Sequence, residues 1–165
     1  MTEEEREAQE LAPIKEGIHA AELFAELNDE QLTRLARIGE KRTVKRGDAI
    51  FNQGEQGHHF FVICSGAVRV SRTVPGIGEE AMAVLHEGSV FGEMSVFDDA
   101  PRSADAIAHK ACELFVVEKE ALHQLFAHNR LLAFNVLSKL VRLLSRRLRE
   151  SNDKLAMLSV CAKFE

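Results

Sequence analysis

The apolar positions of this chain change period twice, and the two changes mark three stretches. From Ala20 the residues Leu23, Phe24, Leu27, Leu32, Leu35, Ala36 and Ile38 follow helical steps of three and four, with a reset at Asn28. Asn28 can cap a second short helix, since Asp29 and Glu30 then fall in its first turn, and Gly39 is placed to end it. Between Thr43 and Val117 the helical period disappears. Short apolar runs are broken by turn residues: Arg46-Gly47-Asp48 before Ala49-Ile50-Phe51, Gly54 and Gly57 before Phe60 to Cys64, and Ser65-Gly66 before Ala67-Val68-Arg69-Val70, which alternates with period two. Pro75-Gly76-Ile77-Gly78 then precedes Ala81 to Leu85, and Glu87-Gly88 follows. Strands at this spacing predict an all-β sandwich or barrel. Eight of the ten glycines lie between Gly47 and Gly92, where sharp turns need them.

After Val117 the helical period returns. Glu118 to Ala127 reads as a short amphipathic helix with Leu122, Leu125 and Phe126 inward. No Gly or Pro occurs from Arg130 to Leu158. Within that span Phe134, Leu137, Val141, Leu144, Leu148, Ser151, Leu155 and Leu158 are spaced alternately three and four apart. This is a heptad seam, and it predicts a parallel two-fold dimer through a helix roughly 40 Å long. Three regions result: a 1–19 acidic lead-in that is loose or helical, a 20–127 β-roll with short flanking helices, and a 128–165 long C-terminal helix.

Composition narrows the function classes. The chain has 165 residues, 45% apolar and 28% charged, which fits one globular domain. Its net charge of −5 argues against a nucleic-acid partner. No apolar run is long enough to span a bilayer. Met1 to Glu10 carries five Glu and one Arg, the opposite of a secretory signal. Cys64, Cys112 and Cys161 are scattered, without a Cys-x-x-Cys pair, so neither a disulfide framework nor a cysteine-held metal is expected and a cytoplasmic location follows. His58 and His59 are adjacent strand residues pointing to opposite faces, so they cannot share one ion. No nucleophile–base pair stands out, and no enzymatic activity is expected. Lys139, Arg142, Arg146 and Arg149 form a basic helical stripe, read as the charged outer face of a coiled coil.

The segment that carries chemistry runs from Phe91 to Ala104, Phe-Gly-Glu-Met-Ser-Val-Phe-Asp-Asp-Ala-Pro-Arg-Ser-Ala. Gly92 permits close backbone approach, and Glu93 to Phe97 make one helical turn whose first N–H groups face an anion. Arg102 adds a forked, permanent cation and Ser103 a hydroxyl. Glu93 would repel a phosphate, yet it suits a hydroxyl donor. A sugar phosphate meets both demands.

These residues resemble the phosphate-binding cassette of cyclic-nucleotide-binding domains, as in the catabolite activator (cAMP receptor) family. Gly47-Asp48, Gly54-Glu55-x-Gly57, Phe60-Phe61-Val62-Ile63 and Ser65-Gly66-x-Val68 extend the resemblance upstream. It implies a mainly β fold with flanking helices, a double-stranded β-helix (jelly roll) with a long C-terminal dimerisation helix. It also implies that Glu93 binds the ribose 2′-hydroxyl, that Arg102 and Ser103 bind the cyclic phosphate, and that Gly92, Met94 and Ala104 line the cassette. Arg146-Arg147-Leu148-Arg149-Glu150-Ser151-Asn152 resembles the activator's long helix and places Ser151 and Asn152 at the base. Ser103 in place of Thr favours cAMP over cGMP. In that family a helix-turn-helix domain follows the long helix, whereas ten residues follow Leu155 here. The expectation is a stand-alone cAMP sensor that regulates a separate protein partner. The alternatives are an interaction module of the same fold that no longer binds nucleotide and, more distantly, a jelly-roll metalloenzyme.

Overall fold

The computed structural model describes residues 1–163 and shows eight antiparallel strands in two four-stranded sheets, flanked by helices. The chain opens with α1 (Glu3–His19), a single 3-10 turn (Glu22–Phe24) and α2 (Asp29–Arg37). β1 (Gly39–Val44), β2 (Ala49–Phe51), β3 (His59–Ser65), β4 (Ala67–Val74), β5 (Gly78–His86) and β6 (Val90–Phe91) follow. The cassette helix α3 (Glu93–Asp98) precedes β7 (Asp105–Ala108) and β8 (Cys112–Glu118), and the chain ends in α4 (Lys119–His128) and α5 (Arg130–Cys161). One sheet has the order β1-β8-β3-β6 and the other β2-β7-β4-β5.

The two sheets explain two different sequence patterns. β3 and β8 are buried on both faces. Phe60, Val62, Phe115 and Val117 face the helices, while Phe61, Ile63, Leu114 and Val116 fill the space between the sheets. A strand covered on both sides reads as a continuous apolar run. β4 is covered mainly on its inner face, and its alternation of Val68 with Arg69 follows.

The helices at the start of the chain differ from the expectation in detail. The lead-in, expected as loose or helical, is helical as α1 from Glu3 to His19, and its last turn carries Ile18, fully buried, with Leu11 and Ile14 packed beside it. The helical period from Ala20 is realised as one 3-10 turn that buries Leu23 and Phe24. Asn28 caps α2, its side chain accepting from the Gln31 N–H at 2.9 Å and the Gln31 side chain accepting from the Asn28 N–H at 3.0 Å. Gly39 does not close that helix. It opens β1, where a Cβ would lie 2.4 Å from the Phe115 ring, so its lack of a side chain makes room for the core.

Helix α5 has a docked half and a projecting half. Leu132, Val136 and Leu140 are buried against the β-roll, with Leu143 and Leu144 partly buried beside them. Two cations of the basic stripe strap this half to the 3-10 turn region: Lys139 pairs with Glu26 at 2.8 Å and Arg146 with Glu22 at 2.8 Å. The seam residues Phe134, Val141, Leu148, Leu155 and Leu158 stand exposed. No described helix is long and apolar enough to cross a membrane.

Candidate functional site: a buried cation beside a carboxylate

A cavity of about 360 Å³ opens between the cassette, the inner faces of β4 and β5, and α5. Gly92, Glu93, Met94, Arg102, Ser103, Ala104 and Ser151 all line it. Asn152 is not among the lining residues. It follows Ser151 directly, and one residue along a helix turns a side chain by about a quarter turn or more. The stripe that meets the cavity is Arg147, Glu150, Ser151 and Lys154.

Arg102 is the centre of the arrangement. It is 5% exposed, and its guanidinium donates to the Gly92 carbonyl at 2.8 Å and to the His59 carbonyl at 2.8 Å. The Phe51 ring lies under it, 4.1 Å from Cζ to centroid. Two glycine-rich segments shape its seat. The Gly54 N–H donates to the Arg102 carbonyl at 2.9 Å, and the Arg102 N–H donates to the Glu55 carbonyl at 2.8 Å. Gly92 has φ +76°, and a Cβ there would fall 2.8 Å from the guanidinium. A Cβ on Gly57 would strike Ser95 at 2.3 Å and approach the Arg102 guanidinium carbon at 2.9 Å. The spacing Gly54-Glu55-x-Gly57 thus serves the same cation as the cassette does, from another part of the chain.

Burial draws the Arg102 guanidinium down from its ordinary pKa, with Glu93 and Glu55 opposing. It stays charged all the same. No carboxylate oxygen lies within 4 Å of it among the described residues. A buried cation held only by carbonyl dipoles and an aromatic face is an incomplete electrostatic arrangement, and an anion in the cavity completes it.

Glu93 is 4% exposed. Burial raises its carboxyl above the ordinary value, and Arg147 and Arg102 pull it back. Arg147 reaches across from α5, donating to Glu93 Oε1 at 2.6 Å and to the Val90 carbonyl at 2.9 Å. A carboxylate offers about four acceptor positions, so this pairing leaves Glu93 able to accept from a ligand hydroxyl. Ser103 is exposed, its hydroxyl 4.0 Å from the Met94 sulfur. The outer wall is apolar. Val70 pairs with Ala83 and Ser71 with Ala81, so Met82 is the extra residue of a β-bulge. The bulge lets Met82 and Ala83, neighbours in sequence, both line the cavity.

Sequence reasoning named the cassette and missed Arg147, Phe51, Glu150 and Lys154. Arg147 had a signal, since it stands four residues before Ser151 and therefore on the same helix face. Phe51 had none, because its place under Arg102 depends on how the two sheets close. Among the described residues, no group of three or more His, Cys, Asp or Glu side chains could hold a metal.

Comparison with known proteins agrees with this geometry. Residues 41–129 match the family described as the cyclic nucleotide-binding domain. The chain is 37% identical over 137 residues to the cyclic AMP receptor protein of Thermus thermophilus, covering 83% of this chain and 62% of that protein. It is 30% identical over 111 residues to cGMP-dependent protein kinase 2 of Homo sapiens, covering 65% of this chain and 14% of the kinase. The crystal structure of a cyclic nucleotide-binding domain from Methylobacillus flagellatus superposes with a TM-score of 0.77 at 30% identity, covering 88% of this chain and 82% of that one. The chain thus spans less than two thirds of the receptor it resembles, and its fold is that of the receptor's family. It belongs to the cyclic nucleotide-binding domain family.

Proposed function

We propose that this domain is a cAMP sensor with a regulatory rather than a catalytic role, and that it signals through α5. The observation that carries the reading is Arg102: a buried, permanent cation with no carboxylate partner, at the edge of a cavity that also exposes a hydroxyl-accepting carboxylate. A cyclic phosphate supplies the missing anion, and the ribose 2′-hydroxyl supplies the donor for Glu93. Ser103 adds a hydroxyl to the phosphate, Gly92, Met94 and Ala104 close the cassette around it, and Ser151 stands on the base side. The name of the Thermus thermophilus relative supports cAMP, whereas the kinase relative shows that cGMP also occurs in the family.

The exposed seam supports a second part of the reading, a parallel dimer in which each α5 covers its twin. Since Arg147 joins α5 to Glu93, a ligand that engages Glu93 acts on the helix that carries the seam.

Calorimetry tests the ligand. A hydrogen bond to a charged group contributes roughly 1.5–3 kcal/mol net, and a forked, buried pair contributes more. Arg102→Leu is therefore expected to weaken cAMP binding by two or more powers of ten while far-UV circular dichroism stays unchanged. No heat from the wild type with cAMP, or equal affinity in the variant, overturns the proposal. Heat with cGMP and none with cAMP keeps the anchor and corrects the base.

A further inference from the structure

The cavity has a buried end and an open rim. Glu93 and Arg102 occupy the buried end, while Glu150 and Lys154 stand on the exposed side. A ligand anchored by its phosphate and sugar at the first projects its remaining ring toward the second. Glu150 and Lys154 are four residues apart, the spacing at which Glu and Lys pair on a helix. Neither is in an ion pair within 4 Å among the described residues, although both line the same cavity. The rim thus presents an acceptor and a donor one turn apart, both free for a ligand. Arg147, one turn below, is already engaged with Glu93 and Val90.

We propose that Glu150 and Lys154 of the same chain read the polar edge of the base. Glu150 accepts from the exocyclic amino group, and Lys154 donates to the adjacent ring nitrogen. Adenine carries a donor beside an acceptor on that edge, which a carboxylate and an ammonium one turn apart complement. This rests on the nucleotide reading above and gives that reading its specificity determinants. It also gives the base two contacts that do not depend on a partner copy.

Three ligands separate the two contacts. The deaminated analogue, purine riboside 3′,5′-cyclic phosphate, keeps the ring nitrogen and loses the amine. 1-Deaza-cAMP keeps the amine and loses the ring nitrogen. Calorimetry on the wild type, Glu150→Leu and Lys154→Met measures all nine pairs. The wild type is expected to lose about tenfold in affinity with each analogue, as a charge-assisted hydrogen bond at a partly screened rim contributes. Glu150→Leu is expected to abolish the penalty for the deaminated analogue alone, and Lys154→Met the penalty for the deaza analogue alone. Both positions are exposed, and thermal unfolding checks that the fold is kept. A wild type that binds cAMP and both analogues equally overturns the inference, and so do variants that keep both full penalties. A wild type that binds none of the three and no cGMP removes the nucleotide reading itself, whereas one that binds cGMP alone overturns this inference and leaves the Arg102 anchor standing.

Discussion

The docked and projecting halves of α5 carry the same exposed heptad seam, but only the docked half adds a second, buried stripe. Between Arg130 and Leu144 the helix lies on the β-roll, with Leu132, Val136 and Leu140 at 1%, 3% and 4% exposure. Beyond the site, Leu148, Leu155 and Leu158 stand at 62%, 61% and 67%. The first half uses a stripe with steps of four that belongs to the domain. The second shows only the seam. The two stripes overlap at Leu144, which is partly packed on the domain's own core. A helix that serves two partners needs two apolar faces. A count of apolar residues at steps of three and four does not say which face goes where. The cassette meets α5 between the halves, so Arg147 lies at the crossing.

The largest expected effect comes from breaking the projecting half alone. Val141, Leu148 and Leu155 share one seam position, and a carboxylate there would face its own copy across the dimer axis. Leu148→Glu with Leu155→Glu is expected to turn a wild-type dimer into a monomer without loss of secondary structure. Sedimentation equilibrium at micromolar concentration measures this, and a wild type that is already monomeric removes the seam. Leu144 is a poor probe of the same point, because a charge there also disturbs the domain core.

The docked half is expected to answer in stability instead of assembly. Leu140→Ala removes a buried side chain from the contact with the β-roll and is expected to cost about 2–5 kcal/mol. Leu158→Ala, 67% exposed and measured in the monomeric background above, is expected to leave the urea midpoint unchanged. Comparable losses from both substitutions would show that the two halves are not distinct.

How much was legible depended on whether a feature was local. The cassette is fourteen contiguous residues, so Gly92, Glu93, Arg102 and Ser103 could be read together. The alternation of β4 and the unbroken run of β3 likewise reflect what covers each strand. Asn28 was legible because a capping box is closed within four residues. Features that depend on how distant elements dock were harder. Asn152 is paired with Ser151 by resemblance; within one chain Ser151 lines the cavity together with Glu150 and Lys154, and Asn152 does not. The basic stripe looked like the outer face of a coiled coil, yet Lys139 and Arg146 reach back to Glu26 and Glu22, more than a hundred positions away in sequence. Gly39 looked like a helix stop, and only the position of the Phe115 ring shows what it is for.

The smallest expected effect is a pH dependence at the crossing point. Burial holds the Glu93 carboxyl above its ordinary value of 4.5, and Arg147 is the strongest influence pulling it back. A carboxyl with a raised folded-state pKa binds more protons in the native state than in the unfolded chain. Its contribution to stability is therefore complete below the unfolded value and is lost as pH rises through the folded one. Arg147→Leu removes the opposing cation and moves the folded value further up. The unfolded chains titrate alike, so the variant's stability relative to wild type should decline only as pH rises through the wild type's raised folded value toward the variant's still higher one. The broken bond to the Val90 carbonyl adds a penalty that does not vary with pH, so the slope isolates Glu93. The same comparison in a Glu93→Gln background is expected to be flat, because no proton remains to be lost. Urea midpoints at half-unit steps of pH give both curves. A flat difference with Glu93 in place would show that Arg147 does not govern this carboxyl, and α5 would then touch the cassette without controlling its charge.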